Sequence, residues 1–233
     1  MQELTVRSKA AAFLLFTLMM AFSVWAKQQQ EADKLLARQT AGSIQTEELP
    51  KRIALTFDDG PHPVYTKQLL AGLKERGVQA TFFVVGENIP GREELIKEMY
   101  EDGHLIGNHT YDHTDLSRMS SEQACEELTK TSNLVKDITG CGTSYVRPPF
   151  GKWNDDLDRA LSMMSVKWTI DPLDWTTQNK SQVVQKVVSK AEDNDIILLH
   201  DYYRSSVEAA LEIVDILKEQ GFEFVTVEEL LLE

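Results

Sequence analysis

The sequence predicts an α/β fold with a parallel sheet of about seven strands, either open and doubly wound or closed into a (β/α) barrel. Three observations point there. From Lys51 onward, short apolar runs alternate with segments of helical periodicity, the pattern of strands joined by crossover helices. No G-x-G-x-x-G or Walker-type loop follows any run, which weakens the open nucleotide-binding sheet. The polar clusters of the chain gather at the C-terminal ends of the runs, the rim on which an α/β barrel assembles its site.

The N-terminus is a separate object. Arg7 and Lys9 precede an uncharged run, Ala10 to Ala26, which Lys27 closes. As a helix this run would measure roughly 25 Å, a little short of the ~30 Å hydrocarbon core of a bilayer. Val24-Trp25-Ala26 offers a small-x-small cleavage site, so residues 1–26 read as a signal peptide or an N-terminal membrane anchor. A buried soluble helix fits worse, because the run shows no amphipathic stripe. Either reading predicts an extracytoplasmic protein, secreted or held at the membrane by this segment. Residues 27–50 carry few large apolar side chains and read as a linker or stalk with room for some helix.

Residues 51–233 are the expected folded domain. RIALTF is read as a strand, PVYTKQLLAGLKERG as the helix after it, and ATFFVV with GREELIKEMYEDG as the next pair. HLIGN leads to the long helix SEQACEELTKTSNLVKDITG, and SYVRP to NDDLDRALSMM. VKWTI leads to KSQVVQKVVSKAED, IILLH to SSVEAALEIVDILKEQG, and FEFVTV ends the series. Several of these helices close on glycine or open on acidic residues, which suits helix polarity. Cys125 lies about 20 Å along the long helix from its end, and Cys141 follows that end. Disulfide-bonded Cα atoms come within about 7 Å, so both thiols are expected free.

Formal net charge is -13. Residues 1–50 balance five basic against five acidic side chains, so the excess acid falls in 51–233, with 19 basic against 32 acidic. A surface that acidic argues against nucleic acid or an anionic membrane as the main ligand.

The chemistry-bearing residues begin with TFDDG. Two adjacent carboxylates, Asp58 and Asp59, follow an apolar strand and need positive partners. His109 and His113 are four apart, so a helical turn would put both imidazoles on one face. An H-x-x-x-H alone is a weak signal. The zinc-protease version carries a glutamate after the first histidine, where this chain has Thr110. Two imidazoles and one carboxylate would give a divalent cation three protein ligands and an open position for water. The second carboxylate could then act as general base, kept ionised by a bidentate pair with Arg147. His62 and His104 are read as structural histidines, and Asp112, Asp171 and Asp201 are assigned no role. Trp153 and Trp168 are equally unassigned.

TFDDG, HTYDH, RPPFG, DPLDW and LLH stand in the order of the five motifs of the polysaccharide deacetylases, the NodB-homology enzymes of carbohydrate esterase family 4. The chain resembles that family from about Arg52 to its end. The resemblance implies a distorted (β/α) barrel of TIM-like design and a role for each motif residue. Asp58 is the implied general base, oriented by Arg147, and Asp59, His109 and His113 are the implied metal ligands. His200 is the implied general acid, steered by Asp174. Trp175 and Leu198 would wall an acetyl pocket, and the backbone N–H near Phe150 would help hold the oxyanion. Phe150 departs from the tyrosine of many relatives, which affects local substrate contacts alone. The implied activity is metal-dependent N-deacetylation of N-acetylglucosamine-type residues in peptidoglycan or chitin-like oligosaccharide. Zn2+ is the expected ion, with Co2+, Mn2+ or Ni2+ as substitutes, and a monomer is expected. An O-acetyl esterase acting on xylan shares the same site design. A silent wall-binding barrel is the reading from another class, and the presence of every ligand and the base weighs against it.

Overall fold

The computed structural model describes residues 17–36, 50–153, 157 and 162–232. The chain divides into two units, Met1–Leu49 and Pro50–Glu233. In the first, residues 17–36 form one helix, exposed along its length, which takes in the end of the apolar run and the charged Lys27, Glu31, Asp33 and Lys34. Among the described residues no helix is long and apolar enough to cross a membrane. Residues 1–16 of the expected signal peptide or anchor, 1–26, lie outside the described residues.

The second unit is built on seven strands: β1 (Lys51–Asp58), β2 (Thr81–Val84), β3 (Leu105–Asn108), β4 (Tyr145–Val146), β5 (Met164–Ser165), β6 (Asp195–His200) and β7 (Phe222–Val225). They run in the order β5-β4-β3-β2-β1-β6, with β7 beside the first half of β1. All the pairings are parallel. The chain beyond β5 returns to β6 through a bridge between Ile170 and Ile197. The sheet thus curls into the distorted (β/α) barrel that the sequence predicts. Helices Tyr65–Arg76, Glu93–Glu101, Ser121–Thr139, Lys180–Val188 and Arg204–Glu219 accompany the strands.

Strand parity sorts the side chains into two layers. Ile53, Leu55 and Phe57 of β1 join Phe82, Val84, Ile106, Ile197 and Leu199 under the helices. The alternate residues face inward, where Ala54, Phe83, Tyr145, Val166 and Ile196 form a second, smaller core. On β1 that inward series continues through Thr56 to Asp58. A carboxylate therefore closes the one face of β1 on which the preceding residues are small.

One predicted strand does not form as expected. VKWTI was to run over 166–170, but the regular ladder is confined to Met164 and Ser165 against β4, and only Ile170 bridges β6. The carbonyls of Val166 and Lys167 are taken instead by the Arg147 guanidinium, at 3.4 and 3.1 Å. Met164, expected at the end of a helix, opens β5. The rest of NDDLDRALSMM lies largely outside the described residues. The helix predicted to reach Asp193 stops at Val188, and a short helix, Val227–Leu232, follows β7 unanticipated. Cys125 and Cys141 are free, as expected.

Gly107 illustrates how tight the interior is. It lies opposite Phe83 in the β2–β3 register, and a Cβ built on it would run into the Phe83 ring. Gly107→Ala should therefore destabilise the domain by about 1–3 kcal/mol through overpacking. Urea unfolding at pH 7 measures the difference.

Candidate active site

The motif residues converge on one rim because each stands at the C-terminal end of a strand or just past it. Asp58 ends β1 and Asp59 leaves the strand in the left-handed region, φ 74. His109 follows β3, Arg147 follows β4, and His200 ends β6. Asp174 opens a single helical turn, Asp174–Thr177. A cavity of about 420 Å³ is lined by Asp58, Asp59, His109, His113, Phe150, Trp175, Leu198 and His200, among others.

Asp59, His109 and His113 each offer one ligand atom, and these atoms all lie within 4.8 Å of one another. Asp59 Oδ1 is 3.6 Å from His109 Nε2 and 3.4 Å from His113 Nε2. Donors about 2.0–2.1 Å from a tetrahedral Zn2+ stand about 3.3 Å apart, so the spacing fits a shared divalent ion. Asp59 Oδ1 is buried and without a hydrogen-bond partner among the described residues, an arrangement a cation would satisfy. His109 Nδ1 lies 2.6 Å from the Arg147 carbonyl. A carbonyl only accepts, so Nδ1 carries the proton and Nε2 keeps its lone pair for a metal. Burial holds the His109 pKa below its ordinary value, against the pull of Asp58 and Asp59, which favours the neutral, ligating form. The helical turn expected for the two histidines is absent. They sit in a loop where Thr110 (φ 66) and His113 (φ 59) take left-handed conformations, and those two kinks bring the rings to 5.0 Å.

Asp58 meets Arg147, but not in the bidentate fork expected. Arg147 Nη1 donates to Asp58 Oδ1 at 2.9 Å and to Thr56 Oγ1 at 2.6 Å. Nη2 and Nε go to the Lys167 and Val166 carbonyls. The guanidinium is fully buried, 4.2 Å from the Phe83 ring and 5.6 Å from Trp168. Burial lowers its pKa and Asp58 opposes that shift; a guanidinium stays charged regardless. The other Asp58 oxygen, Oδ2, lies 3.8 Å from His109 Nε2, on the side of the proposed metal cluster.

His200 is gripped twice by the fully buried Asp174. Its Nδ1 lies 2.8 Å from Asp174 Oδ1, and its backbone N–H donates to Oδ2 at 2.9 Å. Burial alone would lower the His200 pKa, but the hydrogen bond and charge of Asp174, with the fields of Asp58 and Asp59, raise it to about 9. A divalent cation beside Asp59 would offset part of that rise. Trp175 is half exposed and Leu198 buried on the cavity wall. Phe150, 63% exposed, holds φ 61 and turns its ring 4.8 Å from His113.

The structure also enlists residues to which sequence reasoning gave no part. Thr56 anchors Arg147, and its position two before Asp58 put it on the same strand face. Trp168 lines the cavity over Arg147, while Trp153 packs against a small core cluster that includes Leu116, Val146 and Leu157. Asp171 and Tyr203 line the cavity too. Asp201 is fully buried and its carboxyl meets the Thr66 hydroxyl, with burial raising its pKa to about 7. His104 is a buried structural histidine, as expected.

Fold and cluster together define a (β/α)-barrel protein with an Asp–Arg pair and a His–Asp pair set beside three residues that could hold a cation. The family model described as Polysaccharide deacetylase matches residues 45–168. The chain is 41% identical over 180 residues to the peptidoglycan-N-acetylmuramic acid deacetylase PdaC of Bacillus subtilis, covering 77% of this chain and 38% of that protein. It is 36% identical over 204 residues to the peptidoglycan-N-acetylglucosamine deacetylase PgdA of Listeria monocytogenes, covering 85% and 44%. The chain therefore spans less than half the length of these two relatives. The solved PdaC structure superposes with a TM-score of 0.76, covering 78% of this chain and 90% of that one. A family 4 acetyl xylan esterase from Clostridium thermocellum, solved with cobalt, gives a TM-score of 0.74 at 33% identity, covering 77% and 90%. The chain belongs to the polysaccharide deacetylase family, as its motifs led one to expect.

Two outcomes follow from the geometry. Arg147→Met fills a similar volume but leaves Asp58 buried and unpaired, and should destabilise by about 3–5 kcal/mol in urea unfolding. His200 gains its proton affinity on folding, so its contribution to stability is full below pH 6.5 and fades as pH rises through about 9. Melting temperature should fall across that window, and Asp174→Asn should flatten the slope.

Proposed function

We propose that the chain is an exported, metal-dependent N-deacetylase that hydrolyses acetamido groups of N-acetylglucosamine-type residues in peptidoglycan or chitin-like oligosaccharide. The observation that carries this reading is the opening of the Asp59–His109–His113 cluster, Asp58 and His200 onto one cavity, with Arg147 and Asp174 buried behind the latter two as their ion-pair partners. A divalent ion held by Asp59, His109 and His113, Zn2+ first by its ligand types, supplies a polarised acetyl carbonyl and a water acidic enough to ionise near neutrality. Asp58, paired with the Arg147 guanidinium, takes the proton of the attacking water. His200, protonated against Asp174, gives a proton to the departing sugar nitrogen, since an amide anion does not leave. The two jobs need groups of opposite protonation at one pH, and the two environments provide them. The backbone N–H near Phe150 would help hold the oxyanion, and Trp175 with Leu198 would wall the acetyl pocket.

The likeness to peptidoglycan deacetylases supports a wall polymer as substrate. The apolar run at 10–26 supports work outside the cytoplasm, with residues 27–50 as the stalk and 51–233 as the catalytic domain. The likeness to an acetyl xylan esterase supports a second reading, O-deacetylation by the same residues. An alkoxide leaves more readily than an amine anion, so the esterase would tolerate His200→Ala better. Comparing acetate release from acetylated xylan and from N-acetylglucosamine oligomers separates the two.

Purified protein is expected to release acetate from N-acetylglucosamine oligomers, to stop with chelator and to recover with Zn2+. Asp58→Asn should lower kcat by at least 10²-fold while metal content stays near one ion per chain. Loss of the ion in that variant would reverse the assignment of the two carboxylates, and a metal-loaded wild type without acetate release would sink the enzymatic reading.

A further inference from the structure

Asp59 is held in a left-handed conformation, φ 74, which L-residues seldom adopt. Such a backbone persists where its surroundings fix it. The carboxylate aimed at the proposed cation therefore depends on what grips the peptide behind it. Asn88, the last residue of the turn Gly86–Asn88 beyond β2, donates its side-chain N–H to the Asp59 carbonyl at 2.9 Å. The next carbonyl, of Gly60, accepts the Val85 N–H at 2.9 Å. The fully buried Asp201 carboxyl lies against the bare Cα of Gly60, where a Cβ would come within 2.8 Å of Asp201 Cγ. The Thr66 hydroxyl holds that carboxyl in place and also accepts the His62 N–H at 2.7 Å. β2 and β6, the strands that precede Asn88 and Asp201 along the chain, both pair with β1. Neither Asn88 nor Asp201 lines the cavity.

We infer that Asn88 and Asp201 are positioning residues for the metal ligand Asp59, Asn88 through the Asp59 carbonyl and Asp201 through Gly60. The inference rests on the metal reading of the Asp59–His109–His113 cluster. Without these contacts Asp59 relaxes toward an ordinary backbone, its carboxylate swings off the two imidazoles, and the site keeps its histidines but loses its charged ligand. Partners behind a metal ligand typically contribute 10–100-fold to affinity. The same range is expected for each of these two.

The test is Zn2+ affinity of the full-length chain, measured by competition with a chromogenic chelator, for wild type, His109→Ala, Asn88→Ala and Asp201→Ala. Melting of the metal-free protein is followed in parallel. The Asn88 side chain makes no other hydrogen bond among the described residues, so Asn88→Ala should keep the metal-free melting temperature while binding Zn2+ 10–100-fold more weakly. Its Co2+ complex should show an altered visible absorption band, a signature that a purely structural role would leave alone. Asp201→Ala should weaken Zn2+ to a similar degree; if it does not fold, Asn88→Ala decides. Affinity within twofold of wild type in folded Asn88→Ala overturns the inference and leaves the metal reading intact. Wild type binding no more tightly than His109→Ala brings down both.

Discussion

A guanidinium buried inside a narrow parallel barrel is the constraint on which the rest of the site depends. An uncompensated charge there would be prohibitive, so the interior must supply an anion and enough acceptors to replace water. Asp58 supplies the charge, Thr56 a hydroxyl, and the carbonyls of Val166 and Lys167 the remainder. Those carbonyls are free because the strand that should have closed the barrel does not zip there. The irregularity of the sheet and the pairing of the proposed base with Arg147 are one fact seen from two sides.

The same constraint separates two adjacent carboxylates that composition cannot tell apart. Parity turns Asp58 inward to the arginine, and a left-handed backbone turns Asp59 to the imidazoles of His109 and His113. Asp58 meets a guanidinium and Asp59 the two imidazoles with which it would share the proposed cation, so the neighbours are turned to different partners. The left-handed conformation of Asp59 is part of the design, since an extended residue would have pointed the second carboxylate to the opposite face of the sheet.

The histidines show the same logic. His109 is buried with its Nδ1 proton spent on a backbone carbonyl, which leaves it neutral and fit to ligate. His200 is partly buried against Asp174, whose hydrogen bond and charge raise its proton affinity, which suits the proposed acid. One side-chain type could thus serve the proposed site as Lewis base and as Brønsted acid, because a carbonyl and a carboxylate ask opposite things of an imidazole.

Local pattern made much of this legible. Apolar runs fix where β1, β2, β3, β6 and β7 lie, since a strand buried on both faces needs them, and the ordered motifs at their ends name the cluster residues. By itself the sequence thus determined the fold class and the chemistry-bearing side chains. Only the tertiary structure decided the split fork of Arg147, the loss of ladder over 166–170, the kinked loop in place of a helical turn at His113, and the grip of Asn88 and Asp201 on the Asp59–Gly60 peptide. Each of these depends on an atom brought near from a distant part of the chain: Thr56 is 91 residues from Arg147, and Thr66 is 135 from Asp201. Periodicity reports how a segment sits on its own layer, and carries no record of which carbonyl a remote guanidinium will claim.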